Sequence, residues 1–184
     1  MRTPLVALLV ACAACASTAT TAGSTAVSAN PEVLTDAHGN VLRTTDVAAT
    51  TTVDAKPTDL LRALVASYDA VGVPADVVDP AQQLVSRTSM TMSRTFKGAR
   101  LSALFDCGQG QFGPRADDGR VTLSIASRVV GSAAPVSLTT RVDASVMPND
   151  GAASSRVRCG SRGILEERIR REAFRQLGIP EPTQ

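Results

Sequence analysis

Hydrophobic and polar residues alternate with a period of two along two long segments of the chain. Residues 120 to 130 and 136 to 147 show this pattern, and every second residue from Val136 to Val146 is apolar or threonine. Because successive side chains of a strand point to opposite faces, the alternation predicts strands with one buried and one solvent-exposed face. Such strands are typical of antiparallel sheets.

Two other segments have the spacing of a helix. In residues 58 to 71 and 164 to 177 the apolar positions recur every three or four residues. This spacing places them on one face of a helix, and Gly72 ends the first segment with a residue that tolerates the left-handed conformation. The predicted inward residues are Leu60, Leu61, Leu64, Tyr68 and Val71 in the first helix, and Leu165, Ile169, Ala173 and Leu177 in the second.

The remaining elements complete an α+β fold. Residues 41 to 53 and 84 to 96 are predicted strands, shorter strands are predicted at residues 77 to 78 and around residues 156 to 159, and a short helix is predicted near residues 99 to 105. Strands this close in sequence leave no room for crossover helices, so we expect them to pair as antiparallel neighbours. The sequence therefore predicts an antiparallel sheet of about five strands, with two main helices, 58 to 71 and 164 to 177, packed on one face.

The N-terminus has the pattern of an export signal. Residues 5 to 11 form an apolar run that is too short to span a bilayer core of about 30 Å. The sequence Leu9-Val10-Ala11-Cys12 resembles the lipobox of bacterial lipoproteins, and Cys15 is the alternative candidate for the lipid-bearing cysteine. We expect residues 1 to 16 to be a signal peptide with lipid attachment at Cys12 or Cys15. The alternative is ordinary cleavage near Cys15, which would release the protein into the periplasm.

The rest of the chain divides into a tether and one domain. Residues 17 to 32 are rich in Ser, Thr and Ala, which cannot bury enough apolar surface to fold, so we expect a flexible tether. Residues 33 to 180 are long enough for a single α+β domain with its own core. Cys107 and Cys159 are the cysteines of this domain, and an oxidising compartment favours a disulfide between them.

Sequence motifs that form catalytic, cofactor or metal sites in other proteins predict no such site in this chain. Residues 108 to 113 match a dinucleotide-binding glycine pattern, but they lack the flanking strand and helix, so a loop is predicted. His38, the single histidine, stands in a turn-forming sequence. Asp117 and Asp118 are the best acidic pair for a cation, yet their spacing fits no metal loop. We therefore expect no enzyme activity, no cofactor and no metal.

The C-terminal segment from residue 156 onward contains seven arginines. One interpretation is a solvated helix face with ion pairs such as Glu167–Arg171 and Arg168–Glu172. The other is a basic strip, formed by Arg168, Arg171 and Arg175, that contacts anionic lipid headgroups or an acidic envelope protein. The low aromatic content, 3%, disfavours sites in which bases or sugars stack on aromatic side chains, and no nucleic acid is expected as a partner.

In the order of their elements, residues 41 to 178 resemble the helix-grip domains of BamC-like lipoproteins of the barrel-assembly machinery. Residues 68 to 80, 101 to 108 and 159 to 169 are also similar to uncharacterised exported proteins of Gram-negative bacteria. The resemblance implies a lipoprotein held at the periplasmic face of a membrane, with an antiparallel sheet that grips a C-terminal helix. The function we expect is a non-catalytic interaction or scaffold module.

An alternative function is the binding of a small apolar ligand between the sheet and the C-terminal helix. Met90, Met92, Leu138 and Ile169 are the predicted lining residues. Methionines at strand spacing are also common in ordinary cores, where they fill irregular space. A dry cavity of ligand size would favour the binding protein, whereas a packed core with a charged surface patch would favour the interaction module.

Overall fold

A computed structural model of the protein describes residues 26 to 35, 41 to 149 and 155 to 180. Both predicted lipid-attachment cysteines, Cys12 and Cys15, lie outside the described residues, as do the predicted signal peptide and His38.

The elements run in the order β1 (Ala26–Thr35), β2 (Val41–Val53), α1 (Pro57–Val71), β3 (Val77–Asp79), β4 (Leu84–Ser93), β5 (Thr95–Phe96), β6 (Ala99–Arg100), α2 (Leu101–Leu104), β7 (Phe105–Asp106), β8 (Gln109–Gly110), β9 (Gly113–Pro114), α3 (Arg115–Asp118), β10 (Arg120–Val130), β11 (Val136–Met147), β12 (Val157–Ser161) and α4 (Ile164–Leu177).

The fold is α+β, as predicted, and is built on a large antiparallel sheet. Six strands follow one another in the order β1-β2-β11-β10-β4-β3, and β12 joins the sheet by pairing with both β11 and β7. The sheet thus has eight strands within the described residues, more than the five or so predicted. The sequence did not predict strands β1 and β7. These strands form because their backbones pair with a neighbouring strand, and no alternation of hydrophobic and polar residues indicates them.

Strand β1 overlaps the predicted tether. Residues 26 to 32 belong to this strand, whose backbone pairs with β2 along its whole length. A strand at the edge of a sheet is stabilised by backbone hydrogen bonds to its neighbour. Amino-acid composition does not indicate this stabilisation. Residues 17 to 25, the other part of the predicted tether, lie outside the described residues.

The two central strands carry the predicted alternation. In β10 and β11 every second side chain is buried, and the opposite positions are exposed or half-buried. The predicted inward positions of β11, from Val136 to Val146, are all buried, which confirms that interpretation. The buried residues are Val121, Leu123, Ile125, Ser127 and Val129 of β10, and Val136, Leu138, Thr140, Val142, Ala144 and Val146 of β11.

The two long helices have nearly the bounds predicted from their periodicity. α1 begins at Pro57, whose missing N–H is not needed in the first helical turn, and Gly72 follows it with φ +86°. α4 spans the predicted residues 164 to 177. α1 contacts α4, β4 and β10, and α4 contacts β11. The third predicted helix, near 99 to 105, is shorter, because residues at both of its ends pair with strands β5 and β12.

Tyr68 fixes α1 to the sheet through a buried chain of hydroxyl groups. Its hydroxyl lies 3.2 Å from the carbonyl oxygen of Val85, to which it donates, and 3.0 Å from the hydroxyl of Ser127. The Ser127 hydroxyl lies 2.9 Å from that of Thr140 on the neighbouring strand. Burial raises the pKa of Tyr68, so the ring stays neutral. These hydrogen bonds link α1 to strands β4 and β10 directly and to β11 through Ser127.

The predicted disulfide joins two parts of the sheet. The sulfur atoms of Cys107 and Cys159 lie 2.03 Å apart, at bonding distance. Cys107 follows β7 directly, and Cys159 lies within β12, the strand that pairs with β7. The bridge thus connects the segment around the short helix α2 to the strand that leads into α4.

Candidate anion-binding groove

A groove lies where α4 passes the C-terminal end of α1, and its volume is about 440 Å³. Two kinds of residue line it. The charged part of the lining consists of the cations of Lys97, Arg168, Arg171 and Arg175 and the carboxylate of Glu172. The apolar part of the lining consists of Ala70, Val71 and Ile179. We call this feature the basic groove.

Helix α4 places its arginines in the basic groove through its periodicity. Arg168, Arg171 and Arg175 are separated by three and four residues, so they lie along one stripe of the helix. A neighbouring stripe, which includes Ile169 and Ala173, is fully buried in the core and fixes the rotation of the helix. The three arginines predicted to contact an anionic partner therefore line one concavity.

Lys97 joins these arginines from a distant part of the chain. It lies in the turn between β5 and β6, and its side chain crosses Gly72 at the end of α1. A Cβ atom at Gly72 would lie 2.3 Å from the Cε atom of Lys97, so the glycine allows this crossing. The last turn of α1 has no basic residue of its own. Lys97 brings a positive charge to this end of the helix, where the helix dipole favours cations.

The ion pairs of α4 differ in part from the predicted ones. The Glu167–Arg171 pair is present, with Nη2 of Arg171 3.5 Å from Oε1 of Glu167. Glu172 does not pair with Arg168. It accepts hydrogen bonds from Nε of Arg175 and Nε2 of Gln176, both at 2.8 Å. These donors lower the pKa of Glu172 to about 2.

Two cations of the basic groove have no partner among the described residues. In the described part of the chain, neither Arg168 nor Lys97 makes a hydrogen bond or an ion pair through its charged group. Arg168 is half-buried and Lys97 is exposed. Both charges are therefore available to a ligand without the loss of an existing ion pair.

Arg170 turns away from the basic groove towards the core. Its Nε donates to Oε2 of Glu167 at 2.7 Å, and its guanidinium lies 5.0 Å from the centre of the Phe174 ring. Side-chain hydrogen bonds from Arg170 lower the pKa of Glu167. Arg170 thus has a structural role, which distinguishes it from the three arginines of the groove.

Asp117, one of the two acidic residues proposed for a cation site, binds the start of the short helix α2 instead. Asp117 accepts hydrogen bonds from the backbone N–H of Ser102 at 2.9 Å and from its hydroxyl at 2.7 Å. It therefore supports the first turn of α2. The backbone oxygen of Asp118 accepts a hydrogen bond from Asn149. Among the described residues, no group of three or more His, Cys, Asp or Glu side chains is arranged to hold a metal.

The glycine-rich segment from 108 to 113 forms a tight hairpin. Strands β8 and β9 pair within it, and Arg115 donates its backbone N–H to the carbonyl of Gly108 at 3.1 Å. The segment that follows is α3, a single turn of four residues. Part of the predicted loop is therefore a pair of short strands. The helix that dinucleotide binding requires does not follow it.

The residues proposed to line a site for an apolar ligand belong to the hydrophobic core or pack against it. Met92, Leu138 and Ile169 are buried in the hydrophobic core, and Met90 packs against it. None of these four residues lines the basic groove or either of two smaller clefts, whose volumes are about 150 and 250 Å³. The basic groove, which is lined by both charged and apolar groups, is therefore a better candidate for a ligand-binding site than the interior between the sheet and α4.

The sequence matches no protein-family model, and no curated protein matches it. In the described ranges of the chain, no helix is both long and apolar enough to span a membrane.

Proposed function

We propose that the protein is a non-catalytic envelope lipoprotein whose domain is an interaction module at the periplasmic face of a membrane. Cys12 or Cys15 carries the lipid, and the segment that follows links the lipid to the domain. Another envelope component with negative charge contacts the basic groove. The convergence of Lys97, Arg168, Arg171 and Arg175 on one groove is the observation that carries this proposal.

The arrangement of the helices supports this function. We infer that α1 and α4 cover the buried face of the sheet together, since both belong to one core with it. This packing directs the arginine stripe of α4 outward, beside the end of α1. The resemblance to BamC-like lipoproteins, which rests on element order, stays a prediction and is in keeping with a tethered module.

The lipid anchor is tested on the full-length chain, expressed in a Gram-negative host. We expect an intact mass that shows a diacylated N-terminal cysteine, and a protein that remains in the membrane fraction after a wash with high salt. Of the two variants Cys12→Ser and Cys15→Ser, only one should lose the lipid and the membrane association. An unmodified mass in the wild type would contradict the lipoprotein assignment.

The interaction is tested by cross-linking in living cells. A photo-reactive amino acid replaces Ala70, which is exposed on the wall of the basic groove and carries no charge. The control position is Val130, which is 57% exposed at the end of β10, outside the lining of the groove. We expect a discrete adduct from position 70 only, and its loss when Arg168 and Arg171 are both changed to Glu. Equal adducts at both positions would contradict an interaction at the groove.

A further inference from the structure

We propose that the basic groove binds the phosphate group of an anionic phospholipid. This inference rests on the proposed function and names the partner of the same site. The arginines and Lys97 contact the headgroup phosphate, while Val71 and Ile179 contact the glycerol and the first carbons of the acyl chains.

The charges of the groove match a phosphate monoanion. Guanidinium groups bind phosphate oxygens through paired N–H donors, and lysine adds a compact positive charge. Among the described residues, four cations and one carboxylate line the groove, and that carboxylate accepts hydrogen bonds from Arg175 and Gln176. Arg168 and Lys97 bring charges that the described protein does not neutralise, and they come from different elements. A phosphate would therefore bridge α4 to the turn between β5 and β6.

The apolar part of the groove distinguishes a lipid from an inorganic ion. Val71 and Ile179 are only partly buried, and both pack against the core at the edge of the groove. A free phosphate leaves these side chains in contact with water, whereas a lipid covers them. Burial of apolar surface contributes about 25 cal/mol per Å², so a lipid gains affinity that a free anion does not.

A lipid also fits the groove better than an acidic protein surface does. A volume of about 440 Å³ is within the usual range for small-molecule sites. Protein surfaces that bind one another are broad, about 800 Å² on each partner, and the groove is a local concavity. A chain held on a membrane also encounters headgroups at high effective concentration. We therefore assign the groove to a lipid headgroup.

The inference is tested by calorimetric titration of the full chain in an uncharged detergent. The probes are dihexanoyl phosphatidylglycerol, dihexanoyl phosphatidylcholine, inorganic phosphate and a short polyglutamate peptide. We expect phosphatidylglycerol to bind at least about tenfold more tightly than each of the other three. Phosphatidylcholine has the same acyl chains and a neutral headgroup, so it corrects for partition into the detergent.

Variants identify the residues responsible. Lys97→Gln combined with Arg168→Gln should weaken phosphatidylglycerol binding about tenfold or more, since each loses a charge-assisted contact. The matched control is Arg128→Gln on β10, which is exposed and lies outside the groove lining. This control should bind as the wild type does. Thermal unfolding of each variant, followed by circular dichroism, verifies that the fold is retained.

Each other outcome overturns the lipid assignment. Tighter binding of polyglutamate would assign the groove to an acidic protein, and equal binding of inorganic phosphate would assign it to a free anion. If no probe binds while position 70 still gives a protein adduct in cells, the headgroup inference fails and the interaction module stands. If both measurements are negative, the proposed interaction fails as well.

Discussion

Glu166 is a carboxylic acid enclosed in the first turn of α4. Its side chain is inaccessible to solvent, and neither carboxylate oxygen has a well-formed hydrogen bond within the described residues. Burial raises its pKa, the nearby Ser161 hydroxyl offsets part of this effect, and the charge of Asp143 adds to it. Burial therefore disfavours the charged form of Glu166 in the folded protein, relative to the unfolded chain.

Glu166→Gln tests this interpretation through the pH dependence of stability. Below about pH 4 the carboxyl is protonated in both the folded and the unfolded state, so the variant and the wild type should be equally stable. As the pH rises, the unfolded carboxyl ionises first, and the wild type loses stability until the raised folded pKa is passed. At pH 8 the variant should be more stable by about 1 to 2 kcal/mol in urea unfolding.

The neighbouring residue, Glu167, is the matched control, because its pKa is shifted in the opposite direction. Arg170 lowers the pKa of Glu167, so the stability that this pair contributes is present above the unfolded pKa and is lost in acid. Glu167→Gln should therefore reduce stability at pH 8 and have little effect at low pH. A loss of stability at pH 8 in Glu166→Gln as well would show that the Glu166 carboxylate has an unrecognised partner.

Tyr68→Phe tests the buried chain of hydroxyl groups. The change removes one oxygen and leaves the ring in the core, so packing is retained. The Ser127 hydroxyl and the carbonyl of Val85 lose a partner, and we expect a loss of about 1 to 2 kcal/mol in chemical unfolding. Thr139→Val is a suitable control, since the Thr139 hydroxyl is only partly buried and contacts Thr50 on the other face. Equal effects of the two changes would contradict a special role for Tyr68.

At the scale of elements, the C-terminal ends of α1 and α4 form a natural comparison. Gly72 and Gly178 follow the two helices with φ of +86° and +68°. Each change to alanine places an L-residue in a left-handed conformation, at a cost of about 1 kcal/mol. Only at Gly72 does the added Cβ meet a neighbour, the Cε atom of Lys97, whereas nothing lies within 4 Å at Gly178.

We therefore expect Gly72→Ala and Gly178→Ala to reduce stability by similar amounts, because the lysine side chain is long enough to move aside. Only Gly72→Ala displaces Lys97 and should weaken binding of phosphatidylglycerol. Urea unfolding and calorimetric titration of both variants measure the two effects separately. Unchanged binding in Gly72→Ala would show that Lys97 acts from another position.

The elements that the sequence predicts well are those whose pattern is local. Both long helices carry an apolar stripe over four turns, and β10 and β11 alternate over eleven and twelve residues. Strand β7 consists of two residues that pair with β12, more than fifty residues later in the chain. Such a pairing depends on the folded arrangement, in which the disulfide holds Cys107 beside β12, and no local periodicity indicates it.

The basic groove is predictable from the sequence only in part, for the same reason. The helical spacing of Arg168, Arg171 and Arg175 is enough by itself to place them on one stripe. Lys97 gives no such signal, because it stands alone in a turn and reaches the groove only through the packing of α1. The sequence around Glu166 does not indicate that this side chain is buried. A glutamate in the first turn of a helix ordinarily faces solvent, where the helix dipole stabilises its charge.

At the scale of the whole molecule, the disulfide encloses the centre of the sheet. The segment between Cys107 and Cys159 contains β10 and β11, whereas α1 and α4 lie outside it. The sequence separation of the two cysteines is 52 residues. Without the bridge, the unfolded chain gains conformational entropy, because the ends of this loop are no longer joined. The folded sheet keeps its backbone hydrogen bonds. The chain-entropy argument gives a stabilisation of up to about 4 kcal/mol.

Reduction should therefore lower the free energy of unfolding by up to about 4 kcal/mol and leave the native sheet intact. Urea unfolding with and without reductant measures the difference, and far-ultraviolet circular dichroism in the absence of urea shows whether the sheet persists. Cys107→Ser combined with Cys159→Ser should match the reduced wild type and should not respond to reductant. Equal urea midpoints for the oxidised and reduced wild type would show that the packing of α1 and α4 on the sheet, and not the bridge, limits unfolding.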